Sequence, residues 1–332
     1  MGAPAGAAAL GTGVACALGA GLTWGLVFVA PVMLPQYPAV ILSVGRYAAF
    51  GLIALALAIP ARAALARLSS ADWIEAAKLS LVGNLLYYGF LAGAIQAAGV
   101  PLPTMIIGTL PVVIAVVSNL SERALPWRRL APSLGAIATG IALVNHAERA
   151  RQAGGPDTAS GLALGAILAL CALVCWTWYP IRNARWMRAN GSCSPATWAT
   201  AQGLTTLPLA ILGWGLAAAW HAMRPLSAGA GAGPFDFPLG ANPVGFVVLM
   251  VTIGLTASWL GTLLWNQASR LLPTSLTGQL IVFETLAALA YGFAWRGETP
   301  SAGAAAGIAL LGLGITLGVR ALSARPSDAA SR

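Results

Sequence analysis

Residues 160–180 read SGLALGAILALCALVCWTWYP, a run without one charged side chain, bounded by Gly154-Gly155-Pro156-Asp157 upstream and Arg182 downstream. A helix rises about 1.5 Å per residue, so roughly 20 apolar residues span the hydrocarbon core of a bilayer. The run is continuous rather than alternating, which excludes a strand of a membrane β-barrel. Similar runs cover approximately 8–30, 38–59, 74–98, 103–120, 130–146, 195–220, 243–265, 274–294 and 302–320. Turn residues separate them, among them Pro35-Gln36-Tyr37-Pro38, Pro101-Leu102-Pro103 and the Gly/Ala/Pro stretch around 229–238. The pattern predicts an all-α integral membrane protein with ten transmembrane helices.

Composition agrees. Of 332 residues, 58% are hydrophobic and 8% charged, against roughly 25% charged in a soluble domain. Mean hydropathy is +0.79. The 18 Lys/Arg and 9 Asp/Glu cannot clothe a water-facing surface of this size. The polar interval from His221 to Asn242 is too short to bury a core of its own. A net charge of +9 raises the question of nucleic acid, but the basic residues sit singly or in small groups between apolar runs. That is the spacing of membrane loops, so the expected partners are the lipid bilayer and a small-molecule substrate, with no nucleic acid. Cys16, Cys171, Cys175 and Cys193 form no disulfide framework and are expected as small packing residues. Met1–Gly13 lacks a positively charged start, so no cleaved signal peptide is expected.

The cations orient the chain. With the N-terminus in the cytoplasm, that side carries Arg62, Arg67, Lys78, Arg123, Arg128, Arg129, Arg182, Arg185, Arg188, Arg270, Arg320, Arg325 and Arg332. The other side carries only Arg149, Arg151, Arg224 and Arg296. Cytoplasmic loops collect positive charge, so both termini are expected in the cytoplasm of a multi-pass inner (plasma) membrane protein.

Order within the chain repeats. Ala17-Leu18-Gly19-Ala20 with Trp24 returns as Ala169-Leu170-Cys171-Ala172 with Trp176. Pro103-Thr104 and Pro273-Thr274 open the fourth and ninth runs, while Gln96 and Gln267 fall near the ends of the third and eighth. Two five-helix halves are expected, 1–150 and 151–332 with its C-terminal tail. An odd number of helices inverts the second half, and inverted repeats place a binding site near the midplane. A single chain supplies both halves, so a monomer suffices, and the oligomeric state stays open.

Ionisable groups in hydrocarbon are costly, about 2.5–3.5 kcal/mol on insertion scales, and so mark function by default. Arg46 and Glu284 are the two deep ones. Arg46 has either a packing role, snorkelling or bonding to carbonyls, or a place in the site. Glu284 has either a structural hydrogen bond or a role in proton coupling or in holding a substrate amine. Polar and aromatic stripes accompany them. Asn84, Tyr87 and Tyr88 share a face of the third span; Ser258, Thr262, Trp265 and Asn266 share one of the eighth. Trp176 and Tyr179 share a face of the sixth, Gln279 and Phe283 of the ninth, and Trp24 comes late in the first. Lipid rejects the amides, so these faces should turn toward protein or a cavity. Together they predict a half-polar, aromatic-lined central cavity whose substrate-binding residues are Trp24, Asn84, Tyr87, Tyr88, Trp176, Tyr179, Thr262, Trp265, Asn266, Gln279, Phe283 and Glu284. Trp127, Trp186, Trp220 and Trp295 are expected at the membrane interfaces. The small-residue stretches Gly135–Gly140 and Gly303–Gly318 are expected as close helix-packing surfaces.

Enzyme signatures are missing. His146 and His221 are the only histidines, and no His-Glu-x-x-His, Gly-x-Ser-x-Gly or Gly-x-x-x-x-Gly-Lys motif occurs. The chain is expected to be no enzyme and no ATP-driven pump, with neither cofactor nor catalytic metal.

Leu22-Thr23-Trp24-Gly25, Arg46, Leu110-Pro111 before Ser121-Glu122-Arg123, and Phe283-Glu284-Thr285 with Glu298 resemble the drug/metabolite transporter superfamily in its ten-helix EamA-type branch. Within it, the Tyr-rich third span and Trp176 are most similar to YddG-type amino-acid exporters. The resemblance implies a basket of helices around a central cavity and alternating access between the two faces. It places Trp176 where those exporters carry a tryptophan, and Tyr87 or Tyr88 near a tyrosine of theirs. The expected function is secondary transport exporting aromatic and other amino acids, or similar small metabolites, across the inner membrane. Efflux of cationic drugs on the same fold is the alternative, and a membrane-embedded lipid-modifying enzyme a weaker third.

Overall fold

The computed structural model describes residues 7–28, 33–34, 36–98, 101–122, 126–151, 159–223, 235–297 and 299–323. Arg123, Asp157, Arg224, Glu298, Arg325 and Arg332 lie outside the described residues, as do the side chains of Gln96, Glu122, Arg149, Arg151 and Arg296. Among the described residues every regular element is helical.

Helix α1 is Ala7–Gly25 and α2 is Ala39–Leu65. Helix α3 runs through Ser70–Leu79, a π-helical turn pair at Ser80–Leu86, and Tyr87–Ala98. Helix α4 is broken into Pro101–Ile107 and Leu110–Glu122. Then follow α5 (Trp127–Arg151), α6 (Ala159–Ala189) and α7 (Pro195–Met223). Helix α8 repeats the plan of α3, with Pro243–Ile253, π-helical Gly254–Leu260 and Gly261–Leu271. Helix α9 repeats that of α4, broken into Thr274–Leu280 and Val282–Arg296, and α10 is Ala302–Ser323. Nine described helices are long and apolar enough to cross a bilayer; α4 contributes the shorter apolar Leu110–Ser121.

Local chemistry sets several boundaries. Ser69 and Asp72 form a capping box that starts α3. Asn242 accepts from the Gly245 amide at 3.0 Å and, with Pro243 behind it, starts α8. Gly297, at φ 64°, closes α9 in the left-handed conformation. Pro60 and Pro180 do not end α2 and α6, which continue to Leu65 and Ala189, past the expected ends near 59 and 180. Membrane helices accommodate proline because neighbouring groups re-satisfy the freed carbonyls.

The helices pair in a regular way. α1 packs on α8 and α9, and α6 packs on α3 and α4; α2 pairs with α7, α4 with α9, and α5 with α10. The small-residue stretches make two of these contacts possible. A Cβ on Gly21 would meet the Glu284 amide nitrogen at 3.0 Å, and one on Gly25 the Ala288 nitrogen at 2.9 Å, so α1 lies directly on the α9 backbone. Gly140 and Gly307 face each other across α5 and α10, each within 2.8 Å of the other's carbonyl oxygen were a Cβ added. Gly307→Leu is therefore expected to separate α5 from α10 and cost about 1–3 kcal/mol, as overpacking does. Gly312→Ala, with nothing within 4 Å, should be neutral. Thermal melting of both variants in detergent checks this.

Candidate functional site

Five of the expected site residues, from four helices, meet in one aromatic cluster. Trp176 on α6 sits at its centre, its ring centroid 4.8 Å from Tyr87, 5.0 Å from Tyr179 and 5.7 Å from Trp24. Trp24 in turn lies 5.3 Å from Trp265 on α8. Gly261 opens the space that Trp24 fills, since a Cβ there would meet its indole nitrogen at 2.6 Å. Gly83, inside the π-helical part of α3, likewise gives way to the Tyr179 ring. Trp24, Tyr179 and Trp265 are buried, whereas Tyr87 and Trp176 keep partial exposure in the middle of their helices.

Below Tyr179 lies a buried polar network. The Tyr179 hydroxyl donates to Gln202 Oε1 at 2.9 Å, and Thr262 is a further hydrogen-bonding neighbour of that phenol. Asn183 Oδ1 accepts from Trp198 Nε1 at 2.9 Å and Gln202 Nε2 at 3.2 Å, and its amide donates to Asn266 Oδ1 at 2.8 Å. Asn266 also donates to the Pro195 carbonyl at 3.3 Å. Asn84 donates to Thr206 Oγ1 at 3.3 Å, tying α3 to α7. Sequence reasoning passed over Asn183, Trp198 and Gln202; Gln202 was an amide within an apolar run, whereas Asn183 lies among the arginines after the run at 160–180 and gave no signal.

The deep charges flank the cluster. Arg46 donates through Nε to Ser258 Oγ at 2.9 Å, and its guanidinium lies 5.2 Å from the centre of the Tyr47 ring. Glu284, Tyr87, Tyr88 and Tyr47 are all within its electrostatic reach. Tyr88 packs with Trp259 against Tyr47 and Phe50. Glu284 and Phe283 meet α1 at Gly21 and stay partly exposed.

Two expected residues lie elsewhere. Gln279 is fully buried between α9, α5 and α10, bonded to the Ser133 hydroxyl and to the Ser275 carbonyl at 3.2 Å, against Gly318. Asn266 is fully buried in the network beneath the rings. Lipid does exclude both amides, but interhelical hydrogen bonds satisfy them without a cavity. Trp127, Trp220 and Trp295 are exposed, as interfacial residues would be. Trp186 is not: it stacks on Trp198 at 3.3 Å and donates to Asp72 Oδ1 at 3.0 Å.

Side-chain bonds tie the helices together at the arginine-rich end. Glu75 on α3 is buried and bonds Arg182 on α6 through two hydrogen bonds, one of them 3.1 Å long. Arg185 donates to Ser121 Oγ and Arg188 to Thr274 Oγ1, joining α6 to α4 and α9, and Arg270 donates to the Gly191 carbonyl. A cleft of about 380 Å³ between α3 and α6 opens here, lined by Asp72, Glu75, Arg182 and Trp186 among others. Beside it, burial and the nearby Asp72 push the Cys193 thiol up to about 11, against a smaller lowering by Arg270. Below that pH the thiol is mostly protonated and reacts slowly. Glu75→Gln removes the carboxylate that holds Arg182. Opening of this end would return Cys193 toward about 8.5 and, in a protein with Cys193 as sole cysteine, speed maleimide labelling at pH 8 by about tenfold or more. Equal rates in the two proteins would show that the tie does not shield this end.

No family model matches the chain. It is 48% identical over 321 residues, 95% of its length and 97% of the relative's, to the inner membrane protein YtfF of Escherichia coli (strain K12). A protein of known crystal structure superposes with a TM-score of 0.69 at 18% identity, covering 95% of this chain and 99% of the other, a likeness of fold. With ten apolar helices in the arrangement described and nearly half its residues shared from end to end, the chain belongs to the family of the inner membrane protein YtfF.

Proposed function

We propose that the chain is a secondary transporter of the drug/metabolite superfamily, EamA-type branch, that exports amino acids or similar small metabolites across the inner membrane by alternating access. It acts as a carrier and not an enzyme. The observation that carries this reading is a centre of partly exposed aromatic and charged side chains, Tyr87, Trp176, Arg46 and Glu284, within the apolar helices. Such intramembrane groups mark substrate pathways. The binding residues are Trp24, Tyr87, Tyr88, Trp176, Tyr179, Thr262, Trp265, Phe283 and Glu284, with Asn84, Asn266 and Gln279 fixing the helices around them.

The mechanism calls for two inverted halves, 1–150 and 151–332, and the helix pairing supports two related halves. Exchanging each helix with the one five places on maps the pairing onto itself: α1 on α8 and α9 becomes α6 on α3 and α4. The π-helical turns of α3 and α8 and the breaks of α4 and α9 correspond in the same way. Two related halves allow two related openings, one to each side. The arginine excess supports a cytoplasmic position for the Glu75–Arg182 end and both termini, where the tie would hold α3 to α6 on the inner side.

The test is uptake by proteoliposomes of the pure protein with a panel of labelled amino acids. Saturable uptake above protein-free vesicles is expected. If no amino acid moves while a cationic dye does, the drug-efflux reading replaces this one.

A further inference from the structure

Arg46 on α2 and Glu284 on α9 are groups of opposite sign within the apolar helices, yet they form no ion pair with each other. Intramembrane charges almost always pair, with one another or with backbone. Of the five N–H groups of a guanidinium, Arg46 commits its Nε to Ser258 Oγ at 2.9 Å. The Glu284 carboxyl takes no hydrogen bond from any described residue. Ser258, which Arg46 bonds, lies one turn before Gly261 on α8. Gly21, where a Cβ would meet the Glu284 amide nitrogen at 3.0 Å, lies one turn before Trp24 on α1. Gly261 and Trp24 themselves touch, so both charges flank the same α1–α8 contact. Trp265, 1% exposed and part of the aromatic cluster, keeps an indole N–H without an acceptor. A cation bonded only through Nε and a ring face, a carboxyl without a hydrogen bond and an orphaned indole donor around one aromatic wall are the groups that a ligand bringing both charges would satisfy.

We propose that the site recognises an α-amino acid by both ends of its headgroup, the carboxylate at the Arg46 guanidinium and the ammonium at the Glu284 carboxylate. Its aromatic or apolar side chain lies against Trp24, Tyr87 and Trp176. This rests on the transport reading and deepens it. A zwitterion satisfies both poles at once. A ligand with one charge leaves the opposite pole desolvated and unpaired, and sites built on such groups reject the analogue that lacks the partner. Arg46 thereby becomes the residue that separates amino acids from amines, and Glu284 the one that separates them from carboxylic acids.

The experiment compares phenylalanine, phenethylamine and 3-phenylpropionate, which share a ring and differ only in headgroup. Each competes for counterflow of labelled phenylalanine in proteoliposomes, and each is titrated against tryptophan fluorescence of the pure protein. Both single-charge analogues are expected to bind at least about 100-fold more weakly than phenylalanine. Arg46→Gln should lose the discrimination against phenethylamine, and Glu284→Gln that against 3-phenylpropionate, while Arg46→Lys keeps part of it. The comparison in the unaltered protein needs no variant to fold. Phenethylamine binding as tightly as phenylalanine, or none of the three binding, would overturn the proposal. Selective binding of phenylalanine without counterflow would sustain it and count against transport instead.

Discussion

Replacing Trp176 by alanine is expected to lower kcat/KM for amino-acid transport by about 100-fold, with the protein still folded. Trp176 is in contact with three other rings, Trp24, Tyr87 and Tyr179, which come from α1, α3 and its own helix. Aromatic pairs contribute roughly 0.5–1.5 kcal/mol each beyond simple burial. Losing three removes about 3 kcal/mol of order from the wall, close to a factor of 100 in an equilibrium at 1.4 kcal/mol per tenfold. Partial exposure of the ring means that alanine leaves an enlarged pocket rather than a sealed core void. Trp176→Phe should retain part of the activity, since a smaller ring still stacks. Proteoliposome kinetics, with melting temperature as the control for folding, give the answer. Wild-type kinetics in Trp176→Ala would remove the cluster from the substrate path.

Asn183→Leu should have the largest effect on stability. Its side chain accepts from Trp198 and Gln202 on α7 and donates to Asn266 on α8, all fully or almost fully buried. Leucine withdraws three hydrogen bonds and leaves two donors and one acceptor without partners in a dry interior. Hydrogen bonds between membrane helices average about 0.6 kcal/mol, and each stranded buried group adds roughly 1–3 kcal/mol, less what relaxation recovers. A net loss of about 3 kcal/mol corresponds to a midpoint lower by roughly 4–5 °C for a chain of this size. Asn84→Ala, which gives up one 3.3 Å bond, should cost far less. Melting curves in detergent separate the two.

The span pattern was legible because hydrocarbon imposes a single rule: long continuous apolar runs become helices. It failed at ends and interruptions. Helix α6 runs nine residues past Pro180 to Ala189 because Arg182, Asn183, Arg185 and Trp186 find partners on α3, α4, α7 and α8. Those partners are distant in sequence, so no local pattern announces them. The break in α4 falls at Gly108-Thr109, a visible turn signal, whereas the break in α9 at Ile281 follows no glycine or proline directly.

The same distinction runs through the site. The stripes on α3, α6 and α8 were readable from spacing; the rings of Tyr87, Trp176 and Tyr179 do meet, and Trp265 joins them through Trp24. The amides were readable only as groups that lipid excludes. Whether an amide lines a cavity or locks two helices depends on what stands opposite, as Ser133 does for Gln279 and Asn183 for Asn266. Trp186 was placed at an interface by its position near a membrane edge, and its burial against Trp198 depends on a helix pairing that sequence spacing does not encode.

On the proposed transport mechanism, Tyr87 faces a water-filled pocket inside the bilayer that opens in turn to each side. The most direct test of this central claim is thiol labelling of Tyr87→Cys in a chain lacking the four native cysteines, reconstituted in one orientation. A membrane-impermeant maleimide added on either side should label it, more slowly in the presence of a transported amino acid. Labelling only by a lipid-soluble maleimide, from neither aqueous side, would place residue 87 in lipid and contradict the account.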